Sequence, residues 1–163
     1  MWQEPIFDRI NADTLTARAG QSTIDNHKGA LNYQDLNRIE GNFQYVVDKL
    51  FENAMVIPHT RRNRAEVTYD ASGNVITQTY TDWQEQNIPW LSEIDRIRQN
   101  FNNLIALFLR TLDLPTFPSN IYLMYSEVND WERVSLVGKT MFENMEKEYV
   151  YSGTIDCGGD RLL

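Results

Sequence analysis

The chain has 163 residues, of which 42% are hydrophobic and 23% charged, a composition typical of a single globular domain and unlike that of a disordered segment. A formal net charge of −8 and a pI of about 4.7 argue against a surface that neutralises nucleic-acid phosphate or anionic lipid, because both need clustered positive charge. The single cysteine, Cys157, excludes an intrachain disulfide framework and a cysteine-based zinc site, and assembly in the cytosol is favoured.

The opening Met1-Trp2-Gln3-Glu4-Pro5 has an acid where a signal peptide has basic residues, so export is not expected. The longest apolar run, Leu104 to Leu109, is about a third of a membrane span of roughly 18–20 residues. Residues 1–30 show little periodicity, and Pro5, Gly20 and Gly29 interrupt any helix there. They read as an N-terminal arm or loosely packed leader, with Trp2, Ile6, Phe7 and Ile10 able to anchor it to its own surface or a neighbour's.

From Asn32 the pattern changes. Leu36, Ile39, Phe43, Val46, Val47, Leu50 and Phe51 recur at three- and four-residue spacing, which predicts a first helix with one apolar face. Asn32 is placed to accept from the Asp35 backbone N–H, and the Asp35 carboxylate suits the positive first turn. Gly41 lies inside this helix at a cost of about 1 kcal/mol relative to alanine, marking either a close contact or a tolerated exposed position.

After Pro58, the β-branched and aromatic runs Glu66–Tyr69 and Val75–Tyr80 flank Asp70-Ala71-Ser72-Gly73-Asn74, predicting a β-hairpin at about 65–81. A second helix is expected from near Trp90 to before Pro115, with Ile94, Ile97, Phe101, Leu104, Ile105 and Phe108 inside. A third is expected from about Ser126 to Tyr149, burying Val128, Trp131, Val134, Gly138, Met141, Phe142 and Met145. Residues 151–163 are glycine-rich, with Gly153, Gly158 and Gly159, and read as an extended C-terminal tail.

The three predicted helices start alike. Asp35-Leu36-Asn37-Arg38-Ile39 aligns with Glu93-Ile94-Asp95-Arg96-Ile97 and with Glu127-Val128-Asn129-Asp130-Trp131, and Asn42-Phe43 aligns with Asn100-Phe101. Units that share a phase and a starting cap bury their stripes most simply against one another, so a mainly α fold is expected: a three-helix bundle over residues 31–150, one inserted hairpin and two extended arms. In two units an arginine follows the acid by three positions, at ion-pair spacing along the helix. Gly138 occupies the core column of Val46 and Leu104, as a site of close approach or as a weak spot.

The stretch Leu31-Asn32-Tyr33-Gln34-Asp35-Leu36-Asn37-Arg38-Ile39-Glu40-Gly41-Asn42 is similar to one found in a group of proteins and modules from the tail-gene regions of phages and prophages of Gram-positive bacteria. Glu4-Pro5-Ile6-Phe7-Asp8-Arg9 resembles the leader of the same group, and Ile88-Pro89 followed by Glu93-Ile94-Asp95-Arg96-Ile97 resembles its second helix start. The resemblance implies a structural role in the tail or baseplate of a virion assembled in the bacterial cytoplasm, and it brings no catalytic residues. The third unit departs from it, with Asp130 where arginine would stand.

Chemistry-bearing clusters are sparse. His27 and His59 fall in predicted loops with no His or Cys at metal-ligand spacing, and neither Gln21-Ser22-Thr23 nor Tyr151-Ser152-Gly153 resembles a strained nucleophile turn. Glu143, Glu146 and Glu148 read as a solvated helix face, Arg61, Arg62 and Arg64 as a solvated basic loop, and Gly158-Gly159-Asp160 lacks the ending of a phosphate loop. Trp83, Trp90 and Trp131 are expected in the core; if Trp83 and Trp90 were exposed with Tyr69 and Tyr80, they would form a patch for protein or sugar.

The expected function is therefore a non-enzymatic phage structural protein without cofactor or metal, touching other phage structural proteins or copies of itself through Trp2, Phe7, Trp83, Trp90 and Ile155, with no nucleic acid or membrane as partner. The alternatives are a receptor- or glycan-binding module at the virion surface and a soluble acidic regulator of a host protein.

Overall fold

The computed structural model describes residues 1–13, 31–85, 87, 89–110 and 112–153. The chain is mainly helical: α1 (Tyr33–Glu52), the strands β1 (Arg64–Tyr69) and β2 (Val75–Tyr80), α2 (Leu91–Leu107) and α3 (Tyr125–Gly153), with residues 11–13 also helical. The expected C-terminal tail is thus helical over 151–153, because α3 runs past Tyr149.

Local chemistry explains the first boundary. The Asn32 side chain accepts from the Asp35 backbone N–H and the Asp35 carboxylate reaches back to the Asn32 N–H, a reciprocal capping box. That cap is not common to the three units, since Trp90 precedes α2 without a side-chain cap bond. The shared feature is the acid in the first turn: Asp35, Glu93 and Glu127.

The apolar stripes of all three helices join one buried cluster, in which Leu36, Ile39, Val46, Leu50, Ile97, Phe101, Leu104, Trp131, Val134 and Phe142 are nearly inaccessible. Trp131 stacks on Phe101 with centroids 6.0 Å apart and planes 3° apart, and Phe117 meets both rings edge-on. Phe51, expected on the buried stripe, is 66% exposed. It sits one residue, or about 100° of helical rotation, beyond the buried Leu50.

Contacts between the helices fix their direction. Glu40 and Phe43 meet Arg96 and Phe101; Arg38 and Val46 meet Glu132 and Gly138; Arg98, Phe101 and Leu104 meet Glu127, Trp131 and Gly138. Each pairing advances in the same sense on both helices, so α1, α2 and α3 run parallel and begin at one end of the molecule. Residues 53–90 and 108–124 must therefore carry the chain back along the body.

Described parts of both segments run extended along the helices, held by asparagine side chains that pair with both the N–H and the C=O of a single residue, as a neighbouring β-strand would. Asn100 clasps Thr60 with both bonds at 2.9 Å, Asn102 clasps Phe117 likewise, and Asn37 clasps Trp83 at 2.7 and 2.9 Å. The N-terminal arm is treated the same way: Asn42 clasps Gln3 with both bonds at 2.8 Å, and Asn129 clasps Arg9 at 3.3 and 2.9 Å. Three extended segments thus lie along the three helix pairs, each antiparallel to the helices. Among the described residues, 1–13 are docked rather than loosely packed.

Glycine behaves differently at its two helical positions. A Cβ on Gly138 would stand 3.1 Å from Val46 Cγ1, so Gly138 is a site of close side-chain approach between α1 and α3. A Cβ on Gly41 would meet nothing within 4 Å. Gly41→Ala should therefore raise stability by about 0.5–1 kcal/mol, the helix-propensity difference, in a urea titration, whereas Gly138→Ala should not.

The hairpin has the expected turn. Gly73 takes φ 81°, and Asp70 accepts from the backbone N–H of Ser72 and of Asn74, both at 2.8 Å. The Asn74 side chain and these backbone donors hold the Asp70 carboxyl below the usual range. A group with a depressed folded pKa stabilises above its ordinary value and loses that contribution as pH falls through the folded one. The Ser72 and Asn74 amide signals should accordingly shift below about pH 4, and Asp70→Asn should abolish that titration.

Candidate functional site

Each helix-start acid of the repeat is bonded to an arginine. Asp35 pairs with Arg38 at 2.5 Å and with Arg9 at 2.9 Å, Glu93 with Arg96 at 2.8 Å, and Glu127 with Arg98 at 2.6 Å. The two expected pairs along a helix are present, and each arginine also crosses to another element. Arg96 grips Glu40 on α1, and Arg98 donates to the carbonyls of Asn120 and Tyr122. Glu127 lacks an arginine in its own unit, since Asp130 occupies that place, and takes Arg98 from α2 instead. Leu36, Ile39, Ile94, Ile97, Val128 and Trp131, the apolar members of the motif, are all in the core.

The most enclosed of these clusters joins Arg9, Asp35, Arg38 and Glu132, whose side chains are 3%, 7%, 11% and 0% exposed. Glu132 accepts from Arg38 Nη2 at 2.6 Å and from Arg9 at 3.5 Å, and Arg9 also donates to the Ile6 carbonyl. Two positive and two negative groups balance, which is the condition for keeping charge out of water. Burial opposes the charged Arg38 guanidinium, but its bonds to Glu132 and Asp35 together outweigh that penalty and its pKa lies above the ordinary value. The quartet locks the arm to α1 and α3. Neither Arg9 nor Glu132 stands out from the sequence; Arg9 belongs to an arm without periodicity, and Glu132 resembles any acid on a charged helix.

The aromatic contact candidates divide. Trp2 packs edge-on against Tyr45 at 5.7 Å with the Lys139 ammonium 5.4 Å from its ring, and Phe7 has the Arg133 guanidinium at 5.9 Å, so both serve the arm's own docking. Trp83 is buried, its indole N–H donating to Glu40 and its face covered by Arg62 at 4.2 Å. Trp90, expected in the core, is 65% exposed, because it precedes α2 at the end of the body, where none of the described elements covers it. The aromatic patch of Trp83, Trp90, Tyr69 and Tyr80 is therefore not formed, as Trp83 faces inward. Ile155, with His27 and Cys157, lies outside the described residues.

Arg62 overturns the solvated-loop reading of the basic cluster: it is 2% exposed and donates to the Asp82 carbonyl and to Asn87. Arg61 remains exposed near Asp48. His59 bonds the Ile57 carbonyl at 2.9 Å and abuts Phe43. A cleft of about 180 Å³ opens beside these residues, lined by Glu40, Gln44, His59, Arg61 and Asp82 among others. Glu40 in it is spent on Arg96 and Trp83. Among the described residues no group of three His, Cys, Asp or Glu is placed to hold a metal ion, and no helix is long and apolar enough to cross a membrane.

Exposed apolar residues lie at both ends of the body: Phe51 and Leu107 where two helices finish, and a larger group where the helices begin. Trp90 and Leu91 open α2 there, and Ile121, Tyr122 and Met124 lead into α3 beside them, tied through Arg98. From the same end projects the hairpin, which packs chiefly strand on strand. The register places Val67 opposite Thr77 and Tyr69 opposite Val75 on one face, and Val67, Tyr69 and Val75 are exposed. Ile76, on the other face, is exposed as well. Compared with known proteins, the chain matches no family model, no curated protein and no solved structure.

Proposed function

We propose that this chain is a non-enzymatic assembly component of a phage virion, a tail or baseplate protein whose three-helix bundle serves as a rigid body and whose helix-starting end contacts neighbouring subunits. The observation that carries the assembly reading is the projecting hairpin with large apolar residues exposed on both faces. A two-stranded hairpin is at best marginally stable alone, and one with exposed apolar faces suits packing against a partner sheet. Trp90, Ile121, Tyr122 and Met124 extend the same surface. The placement in a virion rests on the resemblance of the leader and helix starts to proteins of phage tail-gene regions.

A glycan-binding role draws less support, since the Trp83 face that would stack on a sugar is covered by Arg62. Quantitative mass spectrometry of purified particles from the source tests the proposal. The chain should occur at a fixed ratio to the tail proteins, and its absence from intact particles would overturn the virion assignment.

A further inference from the structure

We propose that the cleft beside α1 is an anchor pocket for one arginine side chain presented by a protein partner. This goes beyond the virion reading and holds for a partner inside or outside a particle. The floor of the cleft is a stripe of α1 that includes Glu40, Gly41 and Gln44, and its walls are residues 59–62, entering the hairpin, and 81–83, leaving it. A cavity of roughly 150 Å³ holds a molecule the size of benzene. The 180 Å³ of this cleft therefore suits the end of one long side chain rather than a folded element.

Gly41 marks the space as kept open. It lies within α1 and has no positive φ that would call for glycine, and a Cβ there would meet nothing within 4 Å. Neither backbone nor neighbour requires a glycine, yet the helix bears its propensity cost at the floor of the cleft.

The groups around the space select a cation rich in donors. Glu40 is taken by Arg96 and the Trp83 indole, and Arg62 is 2% exposed and directed to the Asp82 carbonyl and Asn87. Arg61 turns to Asp48, which is not among the lining residues, at 3.5 Å. The Asp82 carboxylate is exposed and bonds nothing among the described residues. Gln44 gives its Nε2 to Asp48, which leaves its oxygen to accept. The His59 Nδ1 faces the Ile57 carbonyl at 2.9 Å and so carries the ring proton, leaving Nε2 as the acceptor of the neutral ring. A carboxylate and two neutral acceptors thus border the cleft, and a guanidinium answers them with a planar fan of donors. The net charge of −8 favours the approach of a cation over that of an anion.

Nitrogen-15 NMR on the full chain, titrated with acetyl-Ala-Arg-Ala-amide and separately with the same peptide carrying glutamate in place of arginine, tests this. The arginine peptide should move the Gly41, His59 and Asp82 amide signals saturably, with a Kd of order millimolar for so small a ligand. Asp82→Asn should weaken that binding about tenfold, as the loss of the one open carboxylate. Gly41→Leu fills the floor and should abolish the shifts while melting no lower than the unaltered chain, because leucine is the better helix former. Unchanged affinity in either variant would overturn the proposal, as would equal or tighter binding of the glutamate peptide, or no saturable shift well above millimolar. Binding is read on the free chain, so it is decided apart from the chain's presence in particles.

Discussion

Glu132→Ala is expected to cost about 3–5 kcal/mol, read as a fall in thermal midpoint of roughly 6–20 °C for a domain of this size. The reason is charge. Glu132 is wholly buried and accepts from both Arg38 and Arg9, so its removal leaves two guanidinium groups in the interior with only Asp35 between them. Removing both members of one pair should hurt far less. Arg38→Met with Glu132→Met keeps Arg9 on Asp35 and restores neutrality with apolar side chains of suitable length. Denaturant titrations of the two variants check this: a single-variant loss under about 1 kcal/mol, the range of a surface pair, would show that water screens the quartet.

Trp131→Ala should be similarly costly, about 3–5 kcal/mol, because it empties the space between Phe101 and Phe117 where the three stripes converge. Trp131→Phe separates two contributions. The Trp131 indole N–H is buried and has no hydrogen-bond partner among the described residues, and such a group costs about 1–3 kcal/mol. Phenylalanine removes that penalty while keeping the stack on Phe101, so its net cost should fall well below that of alanine in the same urea titration. Equal losses for the two variants would mean that packing alone governs this position.

The surface proposed for assembly makes a contrast with these core positions. Val67, Tyr69, Val75 and Trp90 contribute little to the body that they project from, since each is more than half exposed. Substitution at these exposed positions should therefore test the proposed contacts without unfolding the body, which the quartet and the Trp131 site do not permit. The arm belongs with the core, since its anchors Trp2, Gln3 and Arg9 are bound to the helices.

The elements themselves were legible in the sequence. Three-and-four spacing marks a helix because buried residues must recur with the helical turn, and Leu36 to Leu50, Ile94 to Ile105 and Val128 to Phe142 keep that spacing. The Asn32 cap, the Asp70–Gly73 turn and the pairs Asp35–Arg38 and Glu93–Arg96 are interactions among residues within four positions of one another, so local order determines them. Asn42 and Asn100 were visible as a repeated position, while the backbone residues they clasp, Gln3 and Thr60, were not.

Tertiary structure alone decided what depends on distant partners. The parallel direction of the helices follows from which faces meet, and periodicity carries no sign for direction. Arg9 finds Asp35 and Glu132 across 26 and 123 positions, and Arg62 finds the Trp83 ring, so each turns from an apparent surface charge into a buried one. Trp83 and Trp90, seven residues apart and alike in sequence context, are separated because one returns under Arg62 to α1 and the other precedes a helix at the end of the body. Composition and spacing set which segments form. Long-range electrostatics and packing set where they lie, because a buried charge is tolerated only where its counter-charge has been brought to meet it.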